Sequence, residues 1–289
     1  MSSIAPIGIF DSGLGGLTVA KQVMQRLPYE CIAYFADQIH VPYGERSPAE
    51  IRGFALGITN FLVQIGAKLV IMACNMSSAT ALEEARQLFP TVPIIGVIEA
   101  GARAAVRVVQ NGPIGVLATT GTVSTRAYTR TLKKLLPDVE VLEQPCPKFV
   151  PLVEAGMHDS AEAEEVAREY TQPLITAGCK TIILGCTHYP FLINAIRRAV
   201  GTDVSIIDPA EETAVEAESI LFDRGIASLS NEKTEHVYYT TGSPEQFAEH
   251  GSRFLQRTIA GVRRVSWGLD LGVVEWQEKM VEQTTKFVP

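Results

Sequence analysis

Short apolar runs closed by Gly, Pro or polar residues alternate along this chain with longer stretches of helical periodicity, and this alternation limits the fold more than any other feature. The runs are apolar at consecutive rather than alternate positions, the pattern of strands buried on both faces of a parallel sheet. Strands are predicted over residues 4–10, 31–36, 68–73, 92–98, 113–119, 139–143, 181–185, 204–208 and 236–241. Helices fill the intervals, for example 48–66, where Pro48 suits a first turn, and 77–88. The expected fold is α/β, with largely parallel sheets flanked by helices.

Two of the strands have echoes. Ile7-Gly8-Ile9-Phe10-Asp11-Ser12-Gly13 returns as Ile114-Gly115-Val116-Leu117-Ala118-Thr119-Thr120-Gly121, and residues 68–75 (KLVIMACN) return as residues 180–187 (KTIILGCT). The separations within the two pairs nearly agree. An approximate duplication follows: two similar lobes related by a pseudo-twofold axis, with matching strand ends across a cleft. Chance recurrence of strand-then-small-residue segments in α/β proteins is the alternative. The first lobe is expected to hold residues 1–98 and 210–289 and the second 99–209, with crossings near Glu99 and Asp208-Pro209. A charged, helix-like stretch at 275–283 has no assigned role beyond packing or association.

A chain of 289 residues is long enough for two compact halves, and 46% hydrophobic with 20% charged residues is a globular composition. The net charge of −7 and scattered Lys and Arg give no field for nucleic acid. No secretory signal and no stretch of membrane-spanning length is read, so a cytoplasmic location is expected. Cys31, Cys74, Cys146, Cys179 and Cys186 include no C-x-x-C pair, which signals neither a disulfide framework nor a structural zinc. No metal site is expected.

In open parallel sheets, ligands collect beyond the carboxyl ends of strands. The unusual motifs all fall there: Asp11-Ser12-Gly13, Pro42-Tyr43-Gly44, Cys74-Asn75, Thr119-Thr120-Gly121-Thr122 and Cys186-Thr187-His188. Cys74 closes a strand and opens a helix, where backbone N–H groups and the helix dipole favour thiolate, and Cys186 is expected in the same setting. Cysteines are often small core residues, and Cys31, Cys146 and Cys179, lacking such neighbours, are read as structural.

Two opposed thiols suit inversion of a stereocentre through a carbanion, which needs a base on one face and an acid on the other. Asp11 beside Cys74 and His188 beside Cys186 are the candidates to move protons, with Glu154 a third. Asp11 could instead cap the helix after Gly13, and His188 could be a core histidine. Ser12, Gly44, Asn75, Thr119, Thr120, Thr122 and Thr187 offer hydroxyls and N–H groups to an anionic amino acid, although threonines also serve simply as caps. The glycines from Gly13 to Gly16 match neither a dinucleotide fingerprint nor a P-loop, and no cofactor is demanded. A thiol hydrolase or amidotransferase using one cysteine with His188 is a competing reading, and a two-lobed binding protein is another.

Together these motifs resemble the glutamate racemase family over nearly the whole chain. The resemblance is carried by Gly8-Ile9-Phe10-Asp11-Ser12-Gly13-Leu14-Gly15-Gly16-Leu17-Thr18-Val19, Val41-Pro42-Tyr43-Gly44, Ala73-Cys74-Asn75, Ala118-Thr119-Thr120-Gly121-Thr122 and Leu184-Gly185-Cys186-Thr187-His188-Tyr189-Pro190. It implies interconversion of L- and D-glutamate without metal or pyridoxal phosphate, supplying D-glutamate for peptidoglycan, by an enzyme that is a homodimer. It further implies Cys74 and Cys186 as the catalytic pair, Asp11, Glu154 and His188 in support, and Asp11, Ser12, Tyr43, Gly44, Asn75, Met76, Thr187 and His188 around the substrate. Met76 departs from the threonine usual in the family and is followed by Ser77 and Ser78. A lost charge-assisted hydrogen bond is worth about 1.5–3 kcal/mol, enough to weaken binding or shift preference toward aspartate or another acidic amino acid.

Overall fold

A computed structural model describes residues 5–109, 111–232, 234–268 and 272–275. Its strands are β1 (Ile7–Asp11), β2 (Ile32–Ala36), β3 (Leu69–Met72), β4 (Ile94–Gly96), β5 (Ile114–Ala118), β6 (Val141–Pro145), β7 (Thr181–Gly185), β8 (Ser205–Ile207), β9 (Val237–Thr240), β10 (Val262–Trp267) and β11 (Val273–Glu275). They form a seven-stranded sheet in the order β11-β10-β9-β2-β1-β3-β4 and a four-stranded sheet in the order β6-β5-β7-β8. All pairings are parallel except β10 with β11.

The order β2-β1-β3-β4 recurs as β6-β5-β7-β8. The sequence echoes fall on equivalent strands in the same register, since Ile7 pairs with Leu69 as Ile114 pairs with Thr181. The two halves are not equal. Three further strands, β9 to β11, extend the first sheet beyond β2.

The helices are α1 (Leu17–Arg26), α2 (Pro48–Gln64), α3 (Asn75–Leu88), α4 (Val97–Val108), α5 (Thr120–Thr125), α6 (Ala127–Leu135), α7 (Phe149–Glu154), α8 (Ala161–Thr176), α9 (Ile193–Val200), α10 (Pro209–Asp223) and α11 (Pro244–Leu255). α2 starts on a capping box, with Ser47 and Glu50 each accepting the other's backbone N–H and Pro48 in the first turn. It ends before Gly66, whose φ of +88° favours glycine. Alternate residues of β1 feed opposite faces of the sheet: Ile7 and Ile9 pack with α1 and α10, and Phe10 with α2 and α3. α10 lies against both α1 and α4, so the helix that follows the second sheet runs beside the helix that leads into it.

Several sequence-based boundaries need correction. The strand over 92–98 stops at Gly96, because Val97 and Ile98 belong to the buried face of α4 and only prolong the apolar run. The helix over 77–88 starts at Asn75, since Cys74 takes the N-cap position. β10 and β11 escape the sequence pattern because β10 carries exposed Arg263 and Arg264 in place of a continuous apolar run. Glu275 ends β11, and 276–283, read as helix-like, lie outside the described residues, as does residue 4 of the first predicted strand.

Candidate active site

A cavity of about 460 Å³ lies where the carboxyl ends of the two sheets meet. Its wall is made by the segments following β1, β2, β3, β5, β6 and β7. Every sequence-predicted site residue lines it: Asp11, Ser12, Tyr43, Gly44, Cys74, Asn75, Met76, Thr119, Thr120, Thr122, Glu154, Cys186, Thr187 and His188.

Cys74 and Cys186 follow the carboxyl ends of the equivalent strands β3 and β7, and their surroundings differ. Cys74 is the N-cap of α3. Burial and the charge of Asp11 push its thiol up to about 12, against the opposing influence of Ser77, whose backbone N–H and hydroxyl face the sulfur. Cys186 does not open an α-helix directly, contrary to the sequence expectation. A 3-10 turn over Tyr189–Leu192 intervenes before α9, because Pro190 follows so closely.

The partner of Cys186 is His188, with Nδ1 3.8 Å from Sγ. On its other side, Nε2 of His188 lies 2.7 Å from Glu154 Oε1. Burial alone would lower the pKa of His188, but the hydrogen bonds to Cys186 and Glu154 and the charges of Cys186 and Asp11 outweigh it and raise it to about 10. His188 therefore holds a proton at neutral pH. Its hydrogen bond holds the Glu154 carboxyl below the ordinary range, despite partial burial.

Asp11 is buried, and its Oδ2 accepts the Gly16 N–H at 2.7 Å and the Thr187 hydroxyl at a long 3.5 Å. Gly16 is the N-cap of α1, so Asp11 helps to cap that helix and also charges the Cys74 end of the cavity. Close approach explains Gly15 and Gly16. A Cβ at Gly15 would lie 2.4 Å from Thr187 Oγ1 and 2.7 Å from the His188 ring, and one at Gly16 would lie 2.5 Å from Asp11 Cβ.

The threonines serve as caps while lining the cavity: Thr119 Oγ1 accepts the Thr122 N–H at 3.3 Å and lies 3.0 Å from Thr122 Oγ1. Met76 is buried, and its Sδ and Cε reach toward Gly121, where a Cβ would lie 3.1 and 3.2 Å from them.

Sequence reasoning missed Asp37 and part of the role of Cys146. Asp37 is fully buried and its carboxylate meets four side-chain groups: Tyr43 Oη at 2.7 Å, His40 Nδ1 at 2.8 Å, Trp267 Nε1 at 2.9 Å and Thr241 Oγ1 at 3.1 Å. The Tyr43 hydroxyl is thus engaged by Asp37, and the loop holding Tyr43 and Gly44 is tied to β9 and β10. An acidic residue just past a strand was the available signal, the same that marks Asp11. Cys146, read as structural, lies on the cavity wall, with its buried thiol donating to Gln144 O at 3.3 Å.

A Cys–His–Glu line alone would also suit a thiol nucleophile. The comparison with known proteins decides: residues 18–217 match the model of the Asp/Glu/Hydantoin racemase family. The chain belongs to this family. A glutamate racemase of Geobacter metallireducens is 43% identical over 90% of this chain and 96% of its own length. A glutamate racemase isoform of Bacillus anthracis superposes with a TM-score of 0.86 at 38% identity, covering 91% of this chain and 97% of that one. The enzyme of Francisella tularensis, solved in complex with D-glutamate, gives a TM-score of 0.86 at 36% identity, covering 91% and 98% of the respective chains. This racemase is an isomerase with the two-sheet fold of its relatives. Among its described residues no helix is long and apolar enough to cross a membrane.

Proposed function

We propose that this racemase interconverts L- and D-glutamate by exchanging the α-proton between Cys74 and Cys186 across the cavity. The observation that carries this reading is the pair of cysteines just beyond the carboxyl ends of equivalent strands β3 and β7, lining one cavity with separate proton partners.

The substrate α-carbon sits between the two sulfurs. The cysteine on one face, as thiolate, takes the α-proton and leaves a carbanion; the thiol on the other face gives its proton to that carbon, inverting it and becoming the thiolate. In the direction that begins at Cys186, His188 holds the displaced proton next to the sulfur while Cys74 starts as the donor. In the other direction Asp11 is the base beside Cys74. Glu154 stabilises the imidazolium of His188. Ser12, Tyr43, Gly44, Asn75, Met76, Thr119, Thr120, Thr122 and Thr187 surround the substrate, with hydroxyls and backbone N–H groups balancing its carboxylates. The Tyr43–Gly44 backbone serves here, since Asp37 takes the Tyr43 hydroxyl.

The described residues divide at 98/99 and 209/210 into the two lobes that meet at this site. The enzyme works as a homodimer in the cytoplasm and supplies D-glutamate for peptidoglycan. Sedimentation of the purified protein at twice the chain mass would support the dimer, and sedimentation at the chain mass would refute it.

The test of the reaction is incubation of each enantiomer of glutamate in deuterated water. Both circular dichroism signals are expected to decay to zero, with one deuterium at the α-carbon of the product. Cys74→Ser and Cys186→Ser should each abolish racemisation from both sides. Glutamate left optically pure, or full turnover with either cysteine replaced, would refute the mechanism.

A further inference from the structure

Asn75, next to Cys74 at the start of α3, accepts a hydrogen bond at Oδ1 from the Tyr128 hydroxyl at 2.8 Å. Tyr128 belongs to α6, which packs beside β6 of the other sheet, and is fully buried. Its ring lies against the residue that precedes Cys186: a Cβ at Gly185 would be 3.0 Å from Tyr128 Cε2. One side chain therefore spans from Gly185, the last residue of β7, to the residue beside Cys74.

An asparagine amide has an accepting end and a donating end. With the oxygen held by Tyr128, the NH₂ is the end left for the cavity that Asn75 lines. We propose that Tyr128 is a positioning residue that locks the Asn75 amide with its NH₂ toward the cavity, where it donates to a substrate carboxylate. The flipped amide would present an oxygen to an anion and leave the buried Tyr128 proton in need of another acceptor. Burial, reinforced by the charges of Cys186, Glu143 and Asp208, raises the Tyr128 phenol well above its ordinary range, so the hydroxyl stays a donor. The inference rests on the reading that Asn75 binds substrate.

The test is a double-mutant cycle on KM and kcat with both enantiomers of glutamate. Tyr128→Phe keeps the ring and removes the hydroxyl; it should raise KM about tenfold, with a smaller change in kcat, the order expected when a hydrogen bond to a charged group is weakened. Asn75→Ala should raise KM at least as much, and Tyr128→Phe on that background should add nothing. Additive effects, or a native KM in Tyr128→Phe, would overturn the proposal by showing that Tyr128 does not act through Asn75. A native KM in Asn75→Ala would overturn it from the other side, by removing Asn75 from substrate binding, and would leave the two-cysteine reaction standing. Should Tyr128→Phe fail to fold, Asn75→Asp takes its place: it keeps an acceptor for Tyr128 but turns an anionic oxygen to the cavity. A KM raised more than tenfold is then expected, and an unchanged KM would refute the donor role.

Discussion

His188 holds two partners at once, Cys186 Sγ at 3.8 Å and Glu154 Oε1 at 2.7 Å, and the stability of the site follows its proton. Its pKa rises from 6.5 to about 10 on folding, so between these values the native state keeps a proton that the unfolded chain has released. Stability from this group is complete below about pH 6.5 and is lost as pH rises toward 10. Cys74, raised from 9.0 to about 12, continues the same sign above pH 9. Glu154 acts in the opposite sense: its depressed pKa adds stability that fades as pH falls through the acid range. The melting temperature should therefore decline from pH 6.5 to 9, and the decline should flatten in His188→Asn. An identical slope in the variant would show that the His188 proton is not linked to folding. The sequence named Glu154 as a third candidate beside Cys186 and His188, but its contact with the imidazole was not legible, because Glu154 lies thirty-four positions away and reaches His188 only in the fold.

The turn between β1 and α1 shows how an element sets the site. Gly15 and Gly16 admit the Thr187-His188 segment of the other sheet and the Asp11 side chain within distances that a Cβ would block. Gly15→Ala must displace Thr187 or the His188 ring. A misplacement on the order of 1 Å costs about a hundredfold in rate, so kcat/KM is expected to fall by that order with the far-ultraviolet circular dichroism unchanged. Native activity in this variant would mean that the approach of the two segments is not needed for turnover. The glycine run was visible in the sequence, but its purpose was not, since the partner segment lies far along the chain. The strand echo was fully legible and its register held, whereas β10 and β11 gave no apolar signature to read.

Across the whole molecule, the chain returns to the first sheet after α10 and is anchored by a buried ion pair remote from the cavity. Lys68 Nζ lies 2.6 Å from Glu30 Oε2, with the two side chains 0% and 4% exposed. Lys68 also donates to Ile226 O at 2.8 Å, and Glu30 Oε1 accepts the Ser228 N–H at 2.7 Å, so the pair binds the returning segment. Lys68→Met strands a buried carboxylate and should destabilise the protein by about 3–5 kcal/mol in urea denaturation. Lys68→Met with Glu30→Leu should recover much of that loss. A single variant as stable as the native protein would show that this anchor contributes nothing.

The sequence alone determined the α/β class, most strands, the capped start of α2, the duplicated β1–β3 and β5–β7 segments and the two cysteines at their ends. These features are written in local apolar runs and turn residues, which act over a few positions. The tertiary structure decided the rest: that Asp37 gathers Tyr43, His40, Thr241 and Trp267, that Tyr128 meets Asn75, and that Lys68 meets Glu30. It also decided the unequal sheets, one extended by β9 to β11. Such buried polar contacts join residues with no local periodicity in common: Tyr128 reaches Asn75 because the two sheets bring their carboxyl ends together, whereas Asp37 and Lys68 meet their partners because the chain returns to the first sheet after α10 and excludes water from the groups it covers.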